Sequence, residues 1–296
     1  MTDRVHRFLV ADQAVRGQIV RLGSTWQALR EHAEYPQPVR QLLGEAVSAA
    51  VLLASSLKFE GLLTLQIESA GAVRLMVVQC THDFRLRGVA RFDAARVTPR
   101  FEELVGEGRI IVTIEGEGTP RYQGIVAIEG GSLAASLTHY FAASEQLPTC
   151  VRLLANDQLT GGMLIQRVAQ QGGMDLGAAE RDAAAQTWEL AQQRLAAMDP
   201  QQLLTGSIED LLPGCLAPHD VRLLPGTAVR FECRCSPERV SDILRSLGEA
   251  EVRGILAELG TVTVTCEFCQ RPYGFDSIDI EQLFAAVLVP GSERVN

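Results

Sequence analysis

The chain has 296 residues, 47% hydrophobic and 21% charged, enough to bury a sizeable core and to form two domains or one large domain with an appendage. Its 36 acidic residues against 27 basic ones give a net charge of −9, which argues against a polyanion such as nucleic acid as partner. The longest uncharged apolar run, Ala46 to Leu57, is twelve residues and too short to span a bilayer, and the opening MTDRVHRFLVADQAVRG has no signal-peptide-like apolar stretch, so a cytoplasmic address is expected.

Residues 1–171 read as an α+β domain with a meandering, largely antiparallel sheet. A helix begins near Thr25, the Tyr35-Pro36-Gln37-Pro38 break follows, and a second helix runs towards Leu57. Strands are expected at Leu63-Leu65-Ile67, Val73–Val78, Ile110-Val112-Ile114 and Ile125-Val126-Ile128, where apolar residues alternate or cluster between glycines. Ser132 opens a short helix through Phe141, and Val151–Leu153 and Met163–Ile165 look like further strands.

Residues 172–230 read as a helical linker. An Ala-rich helix from about Ala178 to Met198 carries a thin apolar stripe of Ala184, Trp188, Ala191 and Leu195. Asp199-Pro200 and Ser207 are N-cap signals, Pro213-Gly214 and Pro218 are stops, and helices this short need packing partners to be stable. Residues 231–296 form a small unit with apolar spacing of i, i+3, i+4, i+7 at Val240/Ile243/Leu244/Leu247, Val252/Ile255/Leu256/Leu259 and Ile280/Leu283/Phe284/Val287. Ser236-Pro237 caps the first of these helices, Gly248 and Gly260 end the first two, and strands are expected at Val262–Val264 and Tyr273–Phe275.

Four of the seven cysteines lie in that small unit, as Cys233-Arg-Cys235 and Cys266-Glu-Phe-Cys269. In a reducing compartment two close pairs at this spacing indicate a metal site, and four soft thiolates suit a single Zn²⁺ in a closed tetrahedral shell. A closed shell leaves no position for water, which disfavours hydrolytic catalysis. A structural zinc knuckle is one reading. A redox switch is the other, since zinc-bound sulfur is thiolate and each close pair could trap its own oxidation as a disulfide. A nucleic-acid-binding ribbon is excluded by charge: residues 233–296 carry six arginines and ten carboxylates, a balance of −4. Cys80, Cys150 and Cys215 have no partner at ligand spacing and receive no role. The histidines His6, His32, His82, His139 and His219 are scattered, and Gly116-Glu117-Gly118 lacks the third glycine of a dinucleotide loop.

Several segments together resemble the heat shock protein 33 family of redox-regulated, ATP-independent holdase chaperones. They are Tyr35-Pro36-Gln37-Pro38-Val39, Leu57-Lys58-Phe59-Glu60-Gly61, Arg87-Gly88-Val89-Ala90-Arg91, Arg121-Tyr122-Gln123-Gly124, Leu133-Ala134 through Ser144-Glu145-Gln146-Leu147-Pro148-Thr149, and Gly161-Gly162-Met163-Leu164, beside the two cysteine pairs. The resemblance implies a stress-response chaperone rather than an enzyme, with zinc on Cys233, Cys235, Cys266 and Cys269. It implies that oxidation forms Cys233–Cys235 and Cys266–Cys269 disulfides, expels zinc, and unfolds the last domain and the linker. Unfolding then exposes a surface for aggregation-prone clients. It further implies a homodimer and hand-over of clients to ATP-dependent foldases. Cys215 lies outside the family motif and leaves open a mixed disulfide with the switch cysteines. The competing reading is a constitutive zinc-stabilised interaction module whose cysteines never cycle.

Overall fold

The structure, a computed structural model, describes residues 3–10, 15–116, 119–143, 146–167, 178–217 and 219–285. Contacts divide the chain into two units, Met1–Glu232 and Cys233–Asn296.

The first unit opens with β1 (Arg4–Val10), β2 (Val15–Leu22), α1 (Ser24–Arg30) and α2 (Gln37–Ser56). A run of strands follows: β3 (Gly61–Ser69), β4 (Val73–Thr81) and β5 (Arg85–Phe92), then the short α3 (Phe101–Val105), β6 (Gly108–Gly116) and β7 (Thr119–Ala127). Next come α4 (Leu133–Ala143), β8 (Thr149–Ala155) and β9 (Thr160–Arg167). After them lie α5 (Ala178–Ala197), α6 (Pro200–Thr205), α7 (Ile208–Leu216), and the short strands β10 (Val221–Leu223), β11 (Thr227–Ala228) and β12 (Arg230–Phe231).

The α+β class expected from the sequence holds, but the strands form two sheets rather than one meander. The first has the order β10-β1-β2-β9-β8, with β11 also on β1, and the second β12-β5-β4-β3-β6-β7. Pairing is antiparallel except for β12, which lies parallel to β5. Helix α2 is the reason for two sheets. Its stretch from Ala46 to Ser55 is buried on every face, which a helix achieves only between two covering layers, and it joins Val20, Leu22 and Leu164 of the first sheet to Leu63, Leu65, Met76 and Val78 of the second in one core. The polar groups inside are matched: Thr160 Oγ1 donates to the Gly44 carbonyl at 2.6 Å and meets Ser48 Oγ at 2.8 Å.

The first sheet is buried on its other face as well. There Phe8, Val10, Val15, Ile19, Met163 and Ile165 form a second core with Trp188, Ala191, Leu195, Leu203, Leu211, Leu212, Cys215 and Leu216 of α5, α6 and α7. Double coverage explains why β9 is buried at nearly every residue. The second and third of these helices are capped as the sequence indicates, Asp199 accepting from Gln201 N at 3.0 Å and Ser207 from Asp210 N at 3.4 Å. Pro213 does not stop α7, which continues to Leu216. One backbone bond to Glu209 is forgone, while burial of Leu211, Leu212, Cys215 and Leu216 carries the helix one turn further. Pro218 and the side chain of Ala184 lie outside the described residues.

The second unit contains α8 (Pro237–Leu247), α9 (Glu249–Leu259), the hairpin β13 (Val262–Thr265) and β14 (Pro272–Phe275), and α10 (Ser277–Ala285). Among the described residues its core is Val240, Leu244, Val252, Val262, Tyr273, Phe275, Ile280 and Leu283. The expected apolar stripes are only half buried, because so small a unit cannot cover them. Ile243, Leu247 and Leu259 are 57%, 51% and 68% exposed. Gly248 and Gly260 end α8 and α9 at φ of 100° and 76°, as glycine permits; Val287 lies outside the described residues. Among the described residues no helix is long and apolar enough to cross a membrane.

Candidate metal centre

Cys233 and Cys235 lie in the extended chain between β12 and α8, and two local bonds shape that segment. Ser236 Oγ accepts from Arg239 N at 3.3 Å, which starts α8, and Arg239 Nη1 reaches back to the Arg234 carbonyl at 2.7 Å. Cys266 and Cys269 lie in the turn between β13 and β14. That turn is closed by Gln270 N donating to Cys266 O at 2.8 Å and Cys266 N donating to Arg271 O at 3.0 Å, with Gln270 at a φ of 53°.

The fold brings all four sulfurs within 4.8 Å of one another. Two of the contacts run across the sequence pairs, Cys233 Sγ to Cys266 Sγ at 3.6 Å and Cys235 Sγ to Cys269 Sγ at 3.4 Å. Sulfurs about 2.3 Å from a central ion at tetrahedral angles stand about 3.8 Å apart, so the four thiols fit a metal ion with little movement.

Tyr273, at the start of the buried face of β14, donates its hydroxyl to Cys235 Sγ at 3.0 Å. Burial works against ionisation of Cys235, but donation from Tyr273 and from the neighbouring thiols outweighs it and brings the pKa down to about 7. Cys269 is pushed up to about 12, first by burial and then by the surrounding thiols. Cys233 is raised as well, chiefly by burial. One sulfur is thus readied as thiolate, and a bound cation is what draws the protons from its neighbours. The Tyr273 contact was not foreseen; the sequence marks that residue only as part of a strand.

The other cysteines are elsewhere. Cys80 is buried in the main core on β4, its thiol pushed up to about 12 by burial. Cys150 on β8 is raised for the same reason, and Cys215 on α7 is 7% exposed with its thiol pushed up to about 11 by burial. Thiols so protonated are poor nucleophiles. The histidines are dispersed in local contacts, His32 against the Phe231 ring at 5.3 Å and His219 Nε2 against Thr187 Oγ1 at 2.9 Å among them.

The protein family described as Hsp33 protein matches residues 3–276. The "33 kDa chaperonin" of Nitrosococcus oceani is 38% identical over 282 residues, 95% of this chain and 94% of that protein. The protein of the same name from Azotobacter vinelandii is 42% identical over 289 residues, covering 96% of this chain and 95% of its own length. The fold is also similar to the crystal structure of the 33 kDa chaperonin from Thermotoga maritima, with a TM-score of 0.80 at 22% identity over 96% of this chain and 98% of that one.

Proposed function

The chain belongs to the Hsp33 family of chaperones, which are not enzymes, and from that membership we propose that it is a redox-regulated, ATP-independent holdase whose switch is the four-cysteine cluster. The supporting observation is the gathering of all four thiols within 4.8 Å in a unit whose core, among the described residues, is small. Three functional segments follow: a chaperone core over 1–171, a linker over 172–230 and a redox-switch domain over 231–296.

Cys233, Cys235, Cys266 and Cys269 hold one Zn²⁺ in the reduced state. When bound, a structural zinc ion supplies about 10–16 kcal/mol of folding free energy, comparable to the ~5–15 kcal/mol of a whole domain. Oxidation by a peroxide takes two electrons from the two zinc-bound thiolates of each close pair, and the two protons that complete the waters come from solvent. One S–S bond forms at Cys233–Cys235 and one at Cys266–Cys269, and each peroxide leaves as two waters. Sulfurs so bonded no longer present thiolates to a cation. Within-pair bonds close very short loops and do not join the two halves of the site, so they restrain the unfolded chain little.

The second unit then unfolds, the linker helices leave the first sheet, and its outer face is uncovered. Phe8, Val10, Ile19, Met163 and Ile165, with the linker's own Trp188, Leu195, Leu203 and Leu212, become apolar area that binds unfolding clients. The active form is a homodimer in the cytoplasm that passes clients to ATP-dependent foldases. Measuring free thiols, bound zinc and client light scattering before and after mild peroxide tests the switch. Four thiols and the zinc are expected to disappear together as aggregation is suppressed, with all three reversed on reduction. Suppression with zinc still stoichiometrically bound would refute it.

A further inference from the structure

Each of the three linker helices ends on a guanidinium. The last carbonyls of a helix have no partner within it and carry the negative end of its dipole, so a cation there satisfies both. At the end of α7, Arg194 Nη1 donates to Ala217 O at 2.6 Å, a bond within the linker itself. The other two arginines come from the sheet. Arg152 of β8 donates through Nη2 to Met198 O, just past α5, at 3.3 Å. Arg21 of β2 reaches three carbonyls at the end of α6: Nε to Leu203 O at 2.7 Å, Nη2 to Gln202 O at 3.0 Å, and Nη1 to Gly206 O.

Register places both sheet arginines on the linker-facing side. Arg21 alternates with Ile19 and Val15 along β2, and Arg152 stands opposite Met163. Arg21 is 7% exposed, and burial lowers its pKa with Glu209 opposing that shift. Buried charge is retained only where it is well bonded. Here the bonds go to backbone of the linker, so Arg21 is satisfied only while α6 is docked. Gly161, beside Arg21 in the register, leaves room for the backbone and for Leu204 of the same helix, since a Cβ there would meet Val20 O at 2.9 Å and Leu204 Cδ2 at 3.3 Å.

We propose that Arg21, assisted by Arg152, is the latch that holds the linker on the sheet, a positioning role through which client binding is gated separately from the cysteine site. The gating of clients rests on the function proposed above; the latch itself does not. The test uses the full-length, reduced, zinc-loaded protein with Arg21→Ala and Arg21→Lys. Trp188 emission reports docking, assigned by comparison with the same variants carrying Trp188→Phe. Tryptic cleavage of the linker, zinc content, free thiols and light scattering of heat-denaturing malate dehydrogenase are read alongside.

Arg21→Ala is expected to keep its zinc and its switch thiols, to shift Trp188 emission to the red, to be cut in the linker at least tenfold faster, and to suppress aggregation without oxidant. Arg21→Lys, with one ammonium in place of a fork, should fall between it and the parent. Unchanged emission and cleavage would overturn the latch. A released linker in a protein that still ignores the client would uphold the latch and refute the linker as cover of the client surface. If Arg21→Ala loses the core fold, Arg21→Lys and Arg152→Met decide by the same readouts.

Discussion

Tyr273 shows how a single side chain ties a fold to its chemistry. Its ring is part of the second unit's small core, and its hydroxyl favours the thiolate of Cys235. Tyr273→Phe keeps the ring and removes that donor; competition with a chelator should show zinc affinity lowered about tenfold, as for other supports of metal ligands. Glu45 on α2 carries a different residue-scale prediction. It lies beside a cavity of about 860 Å³ lined also by Thr138, His139, Val151 and Leu153, and burial pushes its pKa up to about 7, opposed by Gln41. The native protein therefore holds a proton that the unfolded chain, with an ordinary value near 4.5, has already given up. That contribution to stability is fully present below pH 4.5 and is lost as pH rises through 7, by roughly 3 kcal/mol at most. Denaturant unfolding at pH 5 and pH 8 should show this loss in the parent and not in Glu45→Gln. The gathering of Cys233, Cys235, Cys266 and Cys269 was legible from spacing alone because metal coordination restricts residue type and separation together. Tyr273, Arg21 and Glu45 were not, since their roles depend on neighbours up to 185 residues away in sequence.

Among elements, the linker helices are the ones whose stability is borrowed. α5, α6 and α7 are held by the outer face of the first sheet, where Leu203 is fully buried. Leu203→Ala should weaken docking by about 2–5 kcal/mol. It should raise the reduced protein's basal suppression of client aggregation, measured by light scattering, while core unfolding is little changed. Caps and glycine stops in this region and in the second unit were readable because they are local chemistry: Asp199, Ser207, Ser236, Gly248 and Gly260 sit where expected. Pro213 misled because burial of the next turn outweighs one lost bond. β2 gave no clear signal, since a strand covered on both faces loses the alternation that marks a half-buried one.

At the scale of the whole molecule, two sheets share α2 and one of them carries a second core on its far side. The sequence disclosed the α+β class and most of the strands but not their division into two sheets, because pairing is decided by which faces α2 can cover rather than by any strand alone. The central claim is that oxidation at Cys233, Cys235, Cys266 and Cys269 releases the linker from the first sheet while the shared core persists. Hydrogen exchange on the reduced and peroxide-treated protein, followed by mass spectrometry, tests it most directly. Oxidation should abolish protection over α5 to α7 and over residues 233–285, with α2 and β3, β4 and β6 still protected. An oxidised protein that suppresses aggregation while α5 to α7 remain protected would contradict the account.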